Sequence, residues 1–153
     1  MASRYHQGRY KCQHPEKYMG DPTGIVFRSK WEFDFFRYCD HHPAVKKWGS
    51  EEVYLEYINP IDNSTHRYFP DLIVELEKKD GQISRLMIEI KPHAQTLPPV
   101  QPKKISRGYA EAVATYIVNQ AKWKAADQFC KVNGMDFKVI TENEIYRKTK
   151  RVP

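Results

Sequence analysis

The sequence contains no run of about 18 apolar residues, so it offers no membrane-spanning helix. Its opening stretch, MASRYHQGRYKC, is polar and basic and lacks the hydrophobic segment of a secretory signal. Cysteine is scarce and odd in number. Cys12, Cys39 and Cys130 show no Cys-x-x-Cys spacing, which argues for reduced thiols in a cytosol-like compartment and against a disulfide framework or a zinc site. His6, His14, His41, His42, His66 and His93 lack the paired spacing of a helical or hairpin metal centre, so none is expected. Repeats and low-complexity tracts are missing as well.

What is present suits a folded domain. At 153 residues, with 41% apolar and 13% aromatic residues, the chain can bury roughly two thirds of its unfolded surface without a staple, and a single domain is expected. Lys and Arg outnumber Asp and Glu by 25 to 19. The excess falls in two clusters, Lys103, Lys104 and Arg107, and Arg147, Lys148, Lys150 and Arg151 at the tail. Two readings fit such clusters: a phosphate-backbone contact, or a solvated basic surface.

Residues 1–24 show no sustained period and read as an irregular arm, with Tyr5, Tyr10 and Tyr18 available to pack on the domain or to meet a partner. Ser29 begins a helix as its N-cap, with Glu32 at capping-box spacing and an apolar stripe of Trp31, Phe35 and Tyr38 that ends before Pro43. Val45 to Trp48 reads as a connector and VYLEYI (53–58) as a strand. The turn-rich NPIDNS (59–64) then leads to two further strands, HRYFPDLIVELE (66–77) and ISRLMIEIK (83–91). PHAQTLPPVQPKK (92–104), with four prolines, excludes regular structure and reads as a surface loop. Residues 106–133 have helical periodicity, with Tyr109, Val113, Tyr116, Ile117, Ala121, Trp123, Ala126 and Phe129 among the apolar positions and Gly134 as the stop. FKVIT (137–141) is a short strand and ENEIYRK a helix or tail. The order implies an α/β fold: a mixed β-sheet with a central hairpin, flanked by helices.

Parity sorts that hairpin, because successive strand residues face opposite ways. Leu72, Val74 and Leu76 with Leu86, Ile88 and Ile90 form an aliphatic, core-facing set. The odd positions, among them Asp71, Glu75, Glu77, Arg85, Glu89 and Lys91, form a second and largely charged face. A three-residue turn at Lys79-Asp80-Gly81 sets residues whose numbers add to 160 opposite one another, which brings Asp71 to Glu89. A two-residue turn would oppose aliphatic to charged residues. Two neighbouring carboxylates repel unless a cation lies between them, and a hard ion such as Mg²⁺ or Mn²⁺ suits such a pair. The alternative is a solvated charged face, held by Arg85 and Lys91 pairing across it.

Pro70-Asp71, followed by a strand, a turn and Glu89-Ile90-Lys91, resembles the PD-(D/E)xK motif of the restriction-endonuclease-like phosphodiesterases. FRSKWEFDFF, RYFPDLIVE and IEIKP, with a later helix carrying Asn119, Lys122 and Trp123, resemble the endonuclease subunits of Tn7-type transposition. With YHQGRY and KWGSEE included, nearly the whole chain is similar to the family of head completion nucleases of T4-like tailed phages.

The resemblance implies a nuclease domain at 25–146, after the arm and before a basic tail at 147–153. It implies Mg²⁺- or Mn²⁺-dependent DNA endonuclease activity in head completion. Asp71, Glu89 and the carbonyl of Ile90 would hold the metal. Lys91 would position or activate water and stabilise phosphate charge, and Glu32, otherwise only a capping residue, would act on the metal. Gln95, Asn119 and Lys122, with Lys103, Lys104 and Arg107, are the expected DNA contacts. The partners implied are DNA and phage portal, neck or head proteins, in the host cytoplasm and at the head vertex, with no membrane. Two other roles fit the same chain: a transposition-type endonuclease subunit, and a non-catalytic DNA-binding head or neck protein.

Overall fold

The computed structural model describes residues 7–149, so Tyr5 and His6 and the basic residues Lys150 and Arg151 lie outside it. Helix α1 (Lys30–His41) begins where its spacing predicts, with the Ser29 Oγ accepting from the Glu32 N–H at 3.1 Å. It buries Phe35, Phe36 and Cys39. Helix α2 (Arg107–Val132) runs between Ser106, whose side chain accepts from the Tyr109 N–H, and Gly134, which takes a φ of +67°. A third helix, α3 (Glu142–Thr149), follows. None of the described helices is long and apolar enough to cross a membrane.

The main sheet has four strands, β3 (Val45–Ser50), β6 (Leu72–Glu77), β7 (Ile83–Ile90) and β8 (Asp136–Ile140), in the order β3-β6-β7-β8. Its centre is the expected antiparallel hairpin, in the expected register: Leu72 faces Ile88, Val74 faces Leu86, and Gly81 takes a φ of +86° in the turn. The β7–β8 pair is parallel, which makes the sheet mixed. The even residues of β6 and β7 join Phe35 and Phe36 of α1 and Ile145 of α3 in one core cluster.

Three expectations are corrected. Val45 to Trp48 is no connector: it belongs to β3, where Val45 and Trp48 are buried and Lys46 and Lys47 lie exposed on the edge strand. HRYFPDLIVELE is two strands, because Phe69-Pro70 breaks it. The first part, β5 (Ser64–Tyr68), pairs instead with β4 (Leu55–Asn59) in a separate hairpin. The odd face of the central hairpin is not an open charged surface. Ile73 and Met87 are buried there with Leu55, Tyr57 and Tyr68, beneath Trp123, Ala126 and Cys130 of α2. The buried stripe of α2 is Asn119, Trp123, Ala126 and Cys130, whereas Ile117 and Phe129 are exposed.

The arm is tied down. Strand β1 (Gly8–Arg9) pairs with β2 (Val26–Phe27), and Tyr10 and Tyr18 are buried against Trp48. Asp40, wholly buried in α1, accepts from the Tyr10 hydroxyl at 2.8 Å and from the Gln13 and His14 N–H groups at 2.7 and 2.9 Å. Lys17 Nζ donates to the carbonyls of Cys39, Asp40 and His42, the C-terminal end of α1 that lacks intrahelical donors. Of the basic tail expected at 147–153, only the helical backbone to Thr149 falls within the described residues.

Candidate active site

The hairpin register builds the site. Ladder bonds between β6 and β7 fall on even-numbered pairs, as the Lys78 N–H donating to the Gln82 carbonyl at 2.8 Å marks at the turn. Carried two residues past Leu72 and Ile88, the register sets Pro70 opposite Ile90. Proline has no N–H, so the ladder cannot continue. The Ile90 N–H donates instead to Asp71 Oδ2 at 2.7 Å, while the Asp71 carbonyl accepts from the Glu51 N–H at 3.1 Å. In an antiparallel ladder the N–H and C=O of one residue point to the same neighbour. The Ile90 carbonyl therefore leaves β7 on the side where Asp71 stands, with no ladder donor to meet it.

Glu89, the residue before Ile90, is 7% exposed. Its Oε2 accepts from the Tyr68 hydroxyl at 2.7 Å, and Lys91 Nζ lies 3.6 Å from its Oε1. Lys91 is held in turn by its own N–H, which donates to the Ile140 carbonyl of β8 at 2.9 Å. Lys122, from α2, lies over the rings of Tyr57 and Tyr68 at 5.8 and 5.7 Å and interacts electrostatically with Glu89.

Glu32 has a capping contact and an electrostatic one. Its carboxylate caps the entry to α1 by accepting from the Arg28 N–H, and it also feels the charge of Asp71 and Glu89.

The electrostatics follow from burial. Asp71 is pushed well above the usual carboxylate range, first by burial and then by the neighbouring charge of Glu89, with the Ile90 N–H opposing. Glu89 is raised by burial against the pull of Tyr68, Lys91 and Lys122, and Glu32 is raised by burial as well. Burial and mutual repulsion thus raise three neighbouring carboxylates, a shortage of positive charge that Lys91, Lys122 and Arg28 do not make up. A hard cation fits that shortage and this all-oxygen donor set. No group of three His, Cys, Asp or Glu side chains suited to a metal occurs among the described residues. A cation at this place would meet two carboxylates, Asp71 and Glu89, and the Ile90 carbonyl, a small set of the kind Mg²⁺ accepts while keeping several waters.

The other expected residues fall in two places. Gln95, in a short 3₁₀ turn (His93–Thr96), and Asn119 line one cavity, which none of the carboxylates lines. Lys103, Lys104 and Arg107 are exposed in the loop and at the first turn of α2, where Arg107 pairs with Glu111 at 3.0 Å. Fifteen residues of helix separate Arg107 from Lys122, about 22 Å at 1.5 Å per residue. That basic cluster stands apart from the carboxylates.

Sequence reasoning missed Tyr68 and the Arg28–Glu51 ion pair, 2.7 Å long, at the rim. Strand parity assigns even residues to the other face, but the break at Pro70 resets it, so Tyr68 packs with the odd set. Glu51 takes a φ of +54°, an uncommon backbone state for a non-glycine residue.

Residues 42–142 match the family described as TnsA-like endonuclease N terminal. The chain is also similar to the head completion nuclease of Enterobacteria phage T4, 34% identical over 142 residues that cover 90% of this chain and 92% of that protein. The matched region spans the whole hairpin, both carboxylates and α2. The chain belongs to the TnsA-like endonuclease N-terminal family, and its mixed sheet with a central hairpin is the restriction-endonuclease-like fold.

Proposed function

We propose that the protein is a divalent-metal-dependent DNA endonuclease that hydrolyses phosphodiester bonds during phage head completion. The observation that carries the chemistry is the pair of half-buried Asp71 and buried Glu89, both raised in pKa by desolvation and set beside the donor-free carbonyl of Ile90. The similarity to the T4 head completion nuclease along nearly the full length of both chains supports the biological setting.

Asp71, Glu89 and the Ile90 carbonyl would hold Mg²⁺ or Mn²⁺, which supplies Lewis acidity toward a phosphoryl oxygen and lowers the pKa of water. Asp71 is oriented by the Ile90 N–H and Glu89 by the Tyr68 hydroxyl, so neither carboxylate needs to reorganise on binding. Lys91, tethered to β8 and paired with Glu89, is a cation placed to orient the attacking water and to stabilise negative charge on the phosphate. Glu32 closes the carboxylate cluster from the side of α1. Lys122, across Tyr68, extends the positive surface toward the DNA. Lys103, Lys104 and Arg107 contact backbone phosphates away from the cut, with affinity that falls as salt rises.

By this reading the protein acts on the DNA end or neck after packaging, beside portal or neck proteins at the head vertex, in the host cytoplasm. The family match over 42–142 favours a second reading, a partner-dependent endonuclease of the transposition type. Incubation with supercoiled plasmid under a Mg²⁺ and Mn²⁺ titration tests the activity. Nicking that EDTA abolishes, and that Lys91→Ala lowers at saturating metal, is the expected result. No cleavage by folded wild type at any metal concentration would leave a non-catalytic DNA-binding head protein. Binding to isolated portal or neck components then separates the phage role from the transposition role.

A further inference from the structure

Between the His93–Thr96 turn and α2 lies a cavity of about 320 Å³ lined by Gln95, Leu97, Pro99, Thr115, Tyr116 and Asn119, among others. Three features set it apart. None of its lining residues is charged, so it offers a phosphate no counter-charge. Asn119 is 7% exposed, yet its side-chain amide makes no hydrogen bond with any described residue. The amide is not sealed from solvent, as the Trp48 and Trp123 Nε1 groups are, so its donors and acceptor stand open to a ligand in the cavity. The amide of Gln95, which faces the same cavity from the turn, is likewise unpartnered.

We propose that this cavity receives one unpaired nucleobase of the DNA strand being cut, a reading that rests on the nuclease function above. The volume lies at the lower end of small-ligand pockets, roughly 300 to 1,000 Å³. Tyr116, Leu97 and Pro99 present aromatic and apolar surface to the faces of a planar ring. Asn119 and Gln95 present paired donors and acceptors to its edge, the chemistry by which amide side chains read a base.

Position agrees with chemistry. Asn119 and Lys122 are three residues apart on α2 and so share a face, and Lys122 reaches Tyr68 and Glu89. Gln95 follows Lys91 by four residues. A base entering here belongs to a nucleotide adjacent to the scissile phosphate, and it must leave the duplex stack to do so. That exit is cheapest at frayed ends, gaps and overhangs. The preferred substrate is therefore DNA with an unpaired stretch at the cut.

The test compares binding, in EDTA, of two fluorescein-labelled duplexes that differ only within a short single-stranded gap, one carrying adenines and the other abasic residues. Wild type is expected to bind the adenine gap roughly 5-fold or more tightly, the range that one stacked base supplies. Asn119→Ala and Gln95→Ala should each reduce that preference. Gln95 lies on the surface, so its variant answers even where Asn119→Ala fails to fold. Equal binding of both duplexes by a wild type that still nicks plasmid overturns the pocket and leaves the nuclease reading intact. Competition by free dAMP as strong as that by the gapped strand would make this a free-nucleotide site and also overturn it. A folded wild type that neither binds nor cuts DNA fails the nuclease reading, and the pocket with it.

Discussion

Pro70 stands opposite Ile90 across the central hairpin, at a position where the ladder asks for an N–H and proline has none. The Ile90 N–H turns to Asp71 and its carbonyl is left without a donor. A proline before the aspartate thus leaves a main-chain oxygen without a ladder donor and fixes the carboxylate beside it, the arrangement that the proposed metal site uses.

Replacing that proline restores the missing donor. Pro70→Ala should fold, because Pro70 is buried just before β6 and alanine fits within its outline. Its N–H would compete for the Ile90 carbonyl with a net strength of about 0.5 to 1.5 kcal/mol, which weakens Mn²⁺ binding by roughly 2- to 10-fold. Titration calorimetry reads the change. Unaltered affinity in the variant would show that the carbonyl takes no part.

The raised carboxylates link stability to pH. Asp71 and Glu89 titrate above the ordinary carboxylate range in the folded protein, so the native state binds protons that the unfolded chain does not. The metal-free protein should therefore gain stability as pH falls through the window above that range. Asp40 acts in the opposite sense. Burial alone would raise it, but donors from Gln13, Tyr10 and His14 bring it below the usual value, so its contribution is lost only at stronger acidity. Melting in EDTA should give a Tm at least ~2 °C higher at about pH 5.5 than at about pH 8. Asp71→Asn should flatten the difference. A Tm that falls steadily over that range in wild type would contradict the linkage.

The arm depends on Asp40. Asp40→Ala leaves the Tyr10 hydroxyl and two backbone N–H groups without their buried acceptor. The expected loss is about 3 kcal/mol or more in urea unfolding, because each donor had a charged partner. Limited proteolysis should then cut first between β1 and α1. Stability within about 0.5 kcal/mol of wild type would mean that the arm is held by its aromatics alone.

The central hairpin was legible because parity and Gly81 act together: a three-residue turn ending at Gly81 keeps aliphatic residues opposite aliphatic residues, and the two-residue turn does not. Ser29 and Gly134 marked their helices for a similar reason, since each satisfies a local backbone need that no tertiary contact alters. Strand β3 was hidden by Lys46 and Lys47. These lysines belong on an exposed edge, where charge discourages further strand pairing. The covering of the odd face was hidden because α2 buries a sparse stripe that includes Asn119, a polar residue the apolar period does not count. The carboxylate pair could be read from register, but Tyr68 could not. Its approach to Glu89 depends on how the second hairpin folds back at Pro70.

The most direct measurement is metal-dependent plasmid cleavage by Glu89→Gln, with its fold and Tm recorded alongside. Glutamine keeps the shape of the side chain and removes a carboxyl whose pKa burial raises, so the variant should melt no lower than metal-free wild type. Its cleavage rate should fall by about 100-fold or more. A well-folded Glu89→Gln protein that nicks plasmid at the wild-type rate would contradict the account.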